Sequence, residues 1–188
     1  MNAYELPTSL NVGGVDYEIR SDFRAVLDVL AAMNDPELDE GTRTLVMLMI
    51  IYPGWESIPA EHLGEAAKAA CGFIDNAAVF GEAHADSRRT PKLYDWERDA
   101  GLIIPAVNGA AHTEVRALPY LHWWTFLGYF MEIGESLFTT VLGIRQKRAR
   151  GRKLERSEQE FVRDNPSLFD SGRTERADAV RDEMEKFL

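Results

Sequence analysis

The stretch LNVGGVDYEIRSDFRAVLDVLA, residues 10–31, decides the fold. Gly13-Gly14 stands between two short runs and accepts the positive φ angles that a two-residue hairpin turn demands. Leu10-Asn11-Val12 forms one arm. In the other, Val15, Tyr17 and Ile19 alternate with Asp16 and Glu18, so one face is apolar and the other wet. Ser21 or Asp22 then occupies the place of a helix N-cap, and Phe23, Val26, Leu27, Leu30 and Ala31 follow the i, i+3, i+4, i+7, i+8 spacing of a buried stripe. Asn34-Asp35-Pro36 ends that helix. A hairpin alone is marginal in water, so this one must lie against helices or pair with another chain's edge.

Helical punctuation continues from there. A second helix over about Thr42–Ile51 is apolar on nearly every side, which places it centrally in a core, and Pro53-Gly54 stops it. Pro59 suits the first turn of a third helix carrying Leu63, Ala66, Ala67, Ala70, Ile74, Ala77 and Ala78, with Gly81 as its stop. The polar stretch 82–93 predicts a loop. Asp95 caps a fourth helix with a stripe of Trp96, Ala100, Ile103, Val107 and Ala110, and Pro105 predicts a kink or an early end near Ile104. A further helix begins near Ser136 with Leu137, Phe138, Val141 and Leu142, and Gly143 closes it. Ser157 and Glu160 have capping-box spacing ahead of Asn165-Pro166, and a last helix from Thr174 carries Ala177, Val180, Met184 and Leu188. The expected fold is mainly α, six or seven helices in one compact domain with an N-terminal β-hairpin at its edge; the alternative is an α+β domain in which the hairpin joins a sheet between protomers. The domain spans residues 1–165 with the hairpin at 8–20, and 166–188 form a C-terminal helical extension.

Composition narrows the function classes. The chain has 188 residues, 45% hydrophobic and 28% charged, and a formal charge of −10. That balance excludes wholesale disorder and argues against a surface that coats nucleic acid. A single cysteine, Cys71, permits no internal disulfide and no thiolate-rich metal site; in its alanine-rich helix it reads as a small buried hydrophobe. His62, His84, His112 and His122 are too scattered for a metal motif. The start, MNAYELPTSLNVGG, has neither a basic region nor an apolar run, so it is not a signal peptide. No phosphate-cradling glycine pattern, nucleophile elbow or apolar pair of acids is present, so the expectation is a protein that is not an enzyme and takes no metal and no cofactor.

Two segments stand out. Pro119–Met131 (PYLHWWTFLGYFM) holds six aromatic side chains within eleven residues. On a helix Tyr120, Trp123, Trp124, Leu127, Phe130 and Met131 fill a broad face, widened by Leu121 and Phe126. Side chains of that size are either core anchors or interface hot spots, and the sequence leaves both open. The candidate partner-binding residues are therefore Tyr120, Leu121, Trp123, Trp124, Leu127, Phe130 and Met131. The second segment is basic: Arg145, Lys147, Arg148, Arg150, Arg152, Lys153 and Arg156 against one acid, Glu155, whereas residues 1–65 hold twelve acids and three bases. A basic arm that folds back on an acidic body or meets an acidic neighbouring subunit is the expected explanation, with plain solvated surface and phosphate binding as the alternatives.

Leu121-His-Trp-Trp-Thr-Phe126 resembles the signature of the tailed-bacteriophage gene-15 protein family. So do the hairpin entering a helix (Asn11 to Arg24), the helix start Tyr94-Asp-Trp-Glu-Arg-Asp99, and Gly143-Ile-Arg145 before the basic stretch. The resemblance runs over about residues 7–165; Pro105 and the Thr174–Leu188 helix depart from it. It implies a tail assembly chaperone, a role assigned to such proteins from their place in the tail gene module, and it carries no catalytic residues. On that reading the protein binds and solubilises the helical tape measure protein, or another tail protein, in the host cytoplasm before the tail tube polymerises. It self-associates along its client, touches no membrane and is not expected in the mature virion. The alternatives are a structural or adaptor component of the tail and, further off, a nucleic-acid-binding accessory protein acting through Arg145–Arg156.

Overall fold

The computed structural model describes residues 5–75 and 93–169. All but residue 93 of the loop expected at 82–93, the tail of the third helix beyond Asp75 and the helix expected from Thr174 lie outside the described residues. Mainly helical architecture with an N-terminal hairpin is what the chain adopts: a two-stranded antiparallel sheet and, among the described residues, seven α-helices. Contacts divide the chain into two compact units at Gly134–Glu135.

In the first unit, β1 (Ser9–Val12) pairs with β2 (Val15–Glu18) in the register Leu10↔Tyr17 and Val12↔Val15. Gly13 and Gly14 take φ of +58° and +82° at the turn, and a Cβ on Gly13 would come within 2.8 Å of the His62 ring. Leu10, Val12 and Ile19 are buried, whereas Val15, at the tip, is exposed. The hairpin rests on a helix, with β1 against α3 (Leu63–Ile74).

Helix α1 (Phe23–Asn34) is capped by Asp22, whose carboxylate accepts from the Arg24 N–H. Phe23, Val26 and Val29 are the buried positions and Ala31 faces out, so the stripe is rotated from the expected one. Helix α2 (Glu40–Ile51) packs on α1 and α3 but is not central: Met47, Leu48 and Ile51 are buried, while Leu45 and Met49 are 41% and 45% exposed. A helix flanked on one side only buries one side only, however apolar the remainder. Pro59 precedes a single 3₁₀ turn, Ala60–His62, and α3 then buries Ala66, Ala70, Phe73 and Ile74. Cys71 corrects its expected place. It is exposed, because Ala70 and Ile74 take the inward positions, and its Sγ lies 3.8 Å from Met47 Sδ.

Asp95 accepts from the N–H groups of Glu97 and Arg98 in a turn that leads into α4 (Ala100–Ala111). The helix passes through Pro105 to a left-handed His112 instead of ending near Ile104. Pro105 and Gly101 are both exposed. The carbonyl of Gly101, which the missing N–H would have met, therefore faces water, and Gly101 has no side chain to crowd the ring. Helix α5 (Trp123–Met131) packs on α1 and α4.

The second unit holds α6 (Leu137–Ala149) and α7 (Arg156–Asp164). Ser136 and Thr139 cap α6 reciprocally, as a capping box should. Gly143 does not close α6, which runs six residues further, to Ala149, with Gly151 at φ +64° just beyond it. Helix α7 begins before Ser157: the Glu155 N–H donates to Glu158, two residues ahead of the expected box.

Candidate functional site

The aromatic segment enters the fold through its first residues. Ser21–Phe23 and Leu121–Trp123 run antiparallel for one bridge: the Phe23 N–H donates to the Leu121 carbonyl (3.0 Å) and the Trp123 N–H to the Ser21 carbonyl (2.8 Å). Two helix N-termini are thereby clasped together. Asp22 caps α1 and accepts from the Leu121 N–H at 2.9 Å. Arg24 forks onto the same carboxylate and reaches the Leu118 carbonyl at 2.8 Å. Nothing in the sequence pairs Asp22 and Arg24 with a segment about a hundred residues on; both read as ordinary first-turn residues.

His122 completes the clasp. Its Nδ1 accepts from the Trp124 N–H at 3.0 Å and so caps α5. Its Nε2 lies 3.0 Å from the Pro7 carbonyl, which only accepts. The ring is therefore neutral, with its proton on Nε2. Burial pushes its pKa below the ordinary value, against the opposing pull of the Pro7 carbonyl.

The two tryptophans serve α3. The Trp123 indole N–H donates to the Ile74 carbonyl (2.8 Å) and that of Trp124 to the Phe73 carbonyl (2.9 Å). Consecutive indoles thus donate to consecutive carbonyls in the last described turn of α3. Around them Phe126 stacks on Phe23 at 4.5 Å, and Trp96 meets Phe130 at 4.7 Å and Trp123 at 6.0 Å.

Burial sorts the candidate partner-binding residues. Leu121, Trp123 and Trp124 are buried, and Leu127 and Phe130 half-buried. Tyr120 and Met131 are 51% and 57% exposed. The Tyr120 hydroxyl lies 2.7 Å from Ser21 Oγ, and Tyr120 borders an open groove of about 560 Å³ lined mostly by polar and charged residues, among them Glu18, Arg20, Arg24 and Asp28, with Ile19, Ala25 and Pro53 as its apolar part. Exposed apolar surface also stands where no candidate was named, at Leu45 and Met49 of α2. The unbroken apolar run of that helix was the available signal, since one helix face has to be left over when only one is buried.

In the second unit four of the seven basic side chains are engaged. Lys147 pairs with Glu158 at 2.6 Å and Glu155 at 3.5 Å, Arg156 with Glu160 at 3.2 Å, Arg145 donates to the Leu168 carbonyl at 2.6 Å, and Arg148 lies over the Phe169 ring. The side chains of Arg150, Arg152 and Lys153 make no hydrogen bond or ion pair among the described residues, and all three residues are exposed. The basic stretch thus covers the end of α6, the link to α7 and the first residue of α7.

A family model described as bacteriophage Gp15 protein matches residues 3–169. The chain belongs to that family. No curated protein matches it, and no solved structure does. The match takes in the clasp, the indole-capped end of α3 and the whole described part of the second unit. The Leu-His-Trp-Trp string that carried the resemblance is, residue by residue, a device of folding: a buried apolar side chain, a helix cap and two carbonyl donors. Among the described residues no group of three or more His, Cys, Asp or Glu side chains is placed to hold a metal ion. No helix there is long and apolar enough to cross a membrane.

Proposed function

We propose that this phage-family protein is a non-enzymatic tail assembly chaperone that binds and solubilises the helical tape measure protein in the host cytoplasm before the tail tube polymerises. The observation that supports it is the exposed aromatic Tyr120 beside its groove, in the segment whose Trp123, Trp124 and Phe126 are spent inside the fold. Leu127 and Met131 lie one helical turn apart on α5, the helix that Tyr120 precedes. A long helical client presents apolar stripes until tube subunits surround it, and exposed surface of that extent drives association. A helix laid along Tyr120, Leu127 and Met131 covers such a stripe reversibly, and a charge of −10 keeps the coated client dispersed.

Co-expression with the long helical protein encoded nearest this gene, followed by size-exclusion chromatography at high salt, tests the reading. Client made soluble and co-eluting supports it, and the double variant Tyr120→Ala, Met131→Ser should release the client while staying folded. Client left insoluble, with this protein eluting alone, overturns it. Recovery of the protein from purified virions would instead favour a structural tail component.

A further inference from the structure

We infer that the outward face of α2 is the docking surface for a second copy of this chain, which lies antiparallel across it. This goes beyond the chaperone reading and does not depend on it. Residues 44–52 carry no charge. One side of that stretch is spent on the core, and the other presents Leu45 and Met49 flanked by the half-buried Val46 and Ile50. A solvent-facing helix surface in a chain with 28% charged residues has no need of an uncharged run of that kind, and such a surface marks an interaction site.

What covers it follows from the charges at its two ends. At the N-terminal end Asp39 caps the helix, and its carboxylate is held on the outward side by the Thr42 N–H (3.0 Å) and hydroxyl (2.7 Å). At the C-terminal end stands the exposed Arg20, its Nη1 donating to the carbonyls of the outward Met49 (2.9 Å) and of Ile50 (2.8 Å). Its Nη2 and Nε make no hydrogen bond among the described residues. The face is therefore negative at one end, apolar in the middle and positive at the other. A surface with that polarity complements itself when turned through a two-fold axis. With Leu45 opposite the partner's Met49, the axis passes beside Met47, and position 40 of one copy falls level with position 54 of the other. That is about one turn past Ile50, where the Arg20 guanidinium lies. Each Arg20 then meets the carboxylate end of the opposite helix, a pairing that occurs twice, whereas a parallel arrangement sets like charges together. Gly41, at the same end, adds no bulk to keep the helices apart.

Sedimentation equilibrium of the full chain alone, at micromolar concentrations, reads the self-association directly. A concentration-dependent dimer is expected, and Leu45→Glu with Met49→Glu should raise its dissociation constant by about a hundredfold or more, since four charges, two from each copy, are then buried at the centre of the contact. These side chains are exposed in the single chain, so the variant's thermal transition should stay near that of the parent. Charge reversal separates register from hydrophobicity: Arg20→Glu or Asp39→Arg alone weakens the dimer, and the two together restore it. In a Cys71→Ser background, Leu45→Cys and Met49→Cys chains should form a disulfide-linked dimer when mixed under oxidising conditions, and neither should do so alone. A monomer at all concentrations overturns the inference, as does a dimer indifferent to the double glutamate variant. A monomer whose double variant nevertheless loses the client overturns it too, and assigns the face to the client helix.

Discussion

At the scale of single residues, the most consequential group is one ring. His122 caps α5 through a lone pair on Nδ1 and holds the hairpin's approach through the proton on Nε2, so both of its bonds require the neutral form. Its pKa is depressed by burial below the unfolded value near 6.5. The unfolded chain therefore binds the proton more readily, and the stability this residue contributes is fully present above that value and is lost as pH falls through it. Thermal melts should show a transition that drops once the pH passes below about 6.5, and His122→Asn, which keeps a capping acceptor, should flatten that part of the profile. A profile unchanged by His122→Asn would assign the acid sensitivity to other groups. The tryptophans make a second prediction. Trp124→Phe keeps an aromatic ring on Phe73 but removes the indole donor to the Phe73 carbonyl, at a cost of about 0.5–1.5 kcal/mol in denaturant unfolding. Trp124→Ala costs about 3–5 kcal/mol, so loss of binding in that variant would report the fold and not the interface. Tyr120→Ala, with its ring half in water, should leave stability within about 1 kcal/mol of the parent, which makes it the residue through which binding is properly read.

Elements show where a sequence carries its own instructions and where it does not. The hairpin, the Asp22 cap and the Ser136 start were legible because each is local: a Gly-Gly turn, a carboxylate two residues before the N–H it accepts, a hydroxyl three residues before its partner. Stops were less legible. Pro105 and Gly143 are breakers by propensity, yet both helices run through them, since Pro105 spends its missing bond on the solvent side and Gly143 costs only backbone entropy. Burial on one flank was not legible either: nothing within α2 says which of its apolar faces meets α1 and α3. The aromatic segment hid its role for the same reason, because the carbonyls that the indoles satisfy belong to another helix some fifty residues earlier. Glycine substitutions test this division. Gly143→Ala meets nothing within 4 Å and should raise stability by about 0.5–1 kcal/mol. Gly13→Ala should lower it, because φ of +58° and the His62 ring both oppose a Cβ there. Chemical unfolding of the pair, with midpoints moving in opposite directions, checks both.

Across the whole molecule, charge decides which class of partner the protein can hold. Its formal charge is −10, and its basic residues concentrate at 145–156. Four of those seven side chains are already committed to Glu155, Glu158, Glu160, the Leu168 carbonyl and the Phe169 ring. Arg150, Arg152 and Lys153 are left, enough for about three phosphate contacts and a salt exponent near −3. Against a strongly negative remainder that is a weak hold, so no retention on double-stranded DNA is expected at physiological ionic strength. An apolar client interface responds in the opposite way: burial of Tyr120, Leu127 and Met131 against a helix is undiminished by screening and persists at high salt. Two titrations on one preparation therefore divide the readings. Chromatography of the client complex from low to high salt should leave co-elution intact, and replacing Arg150, Arg152 and Lys153 by serine should not alter it. Fluorescence anisotropy with labelled duplex should stay flat. A client complex that dissolves steeply with salt and is lost in the serine variant would move the interface from the aromatic side of the first unit to the basic link between α6 and α7.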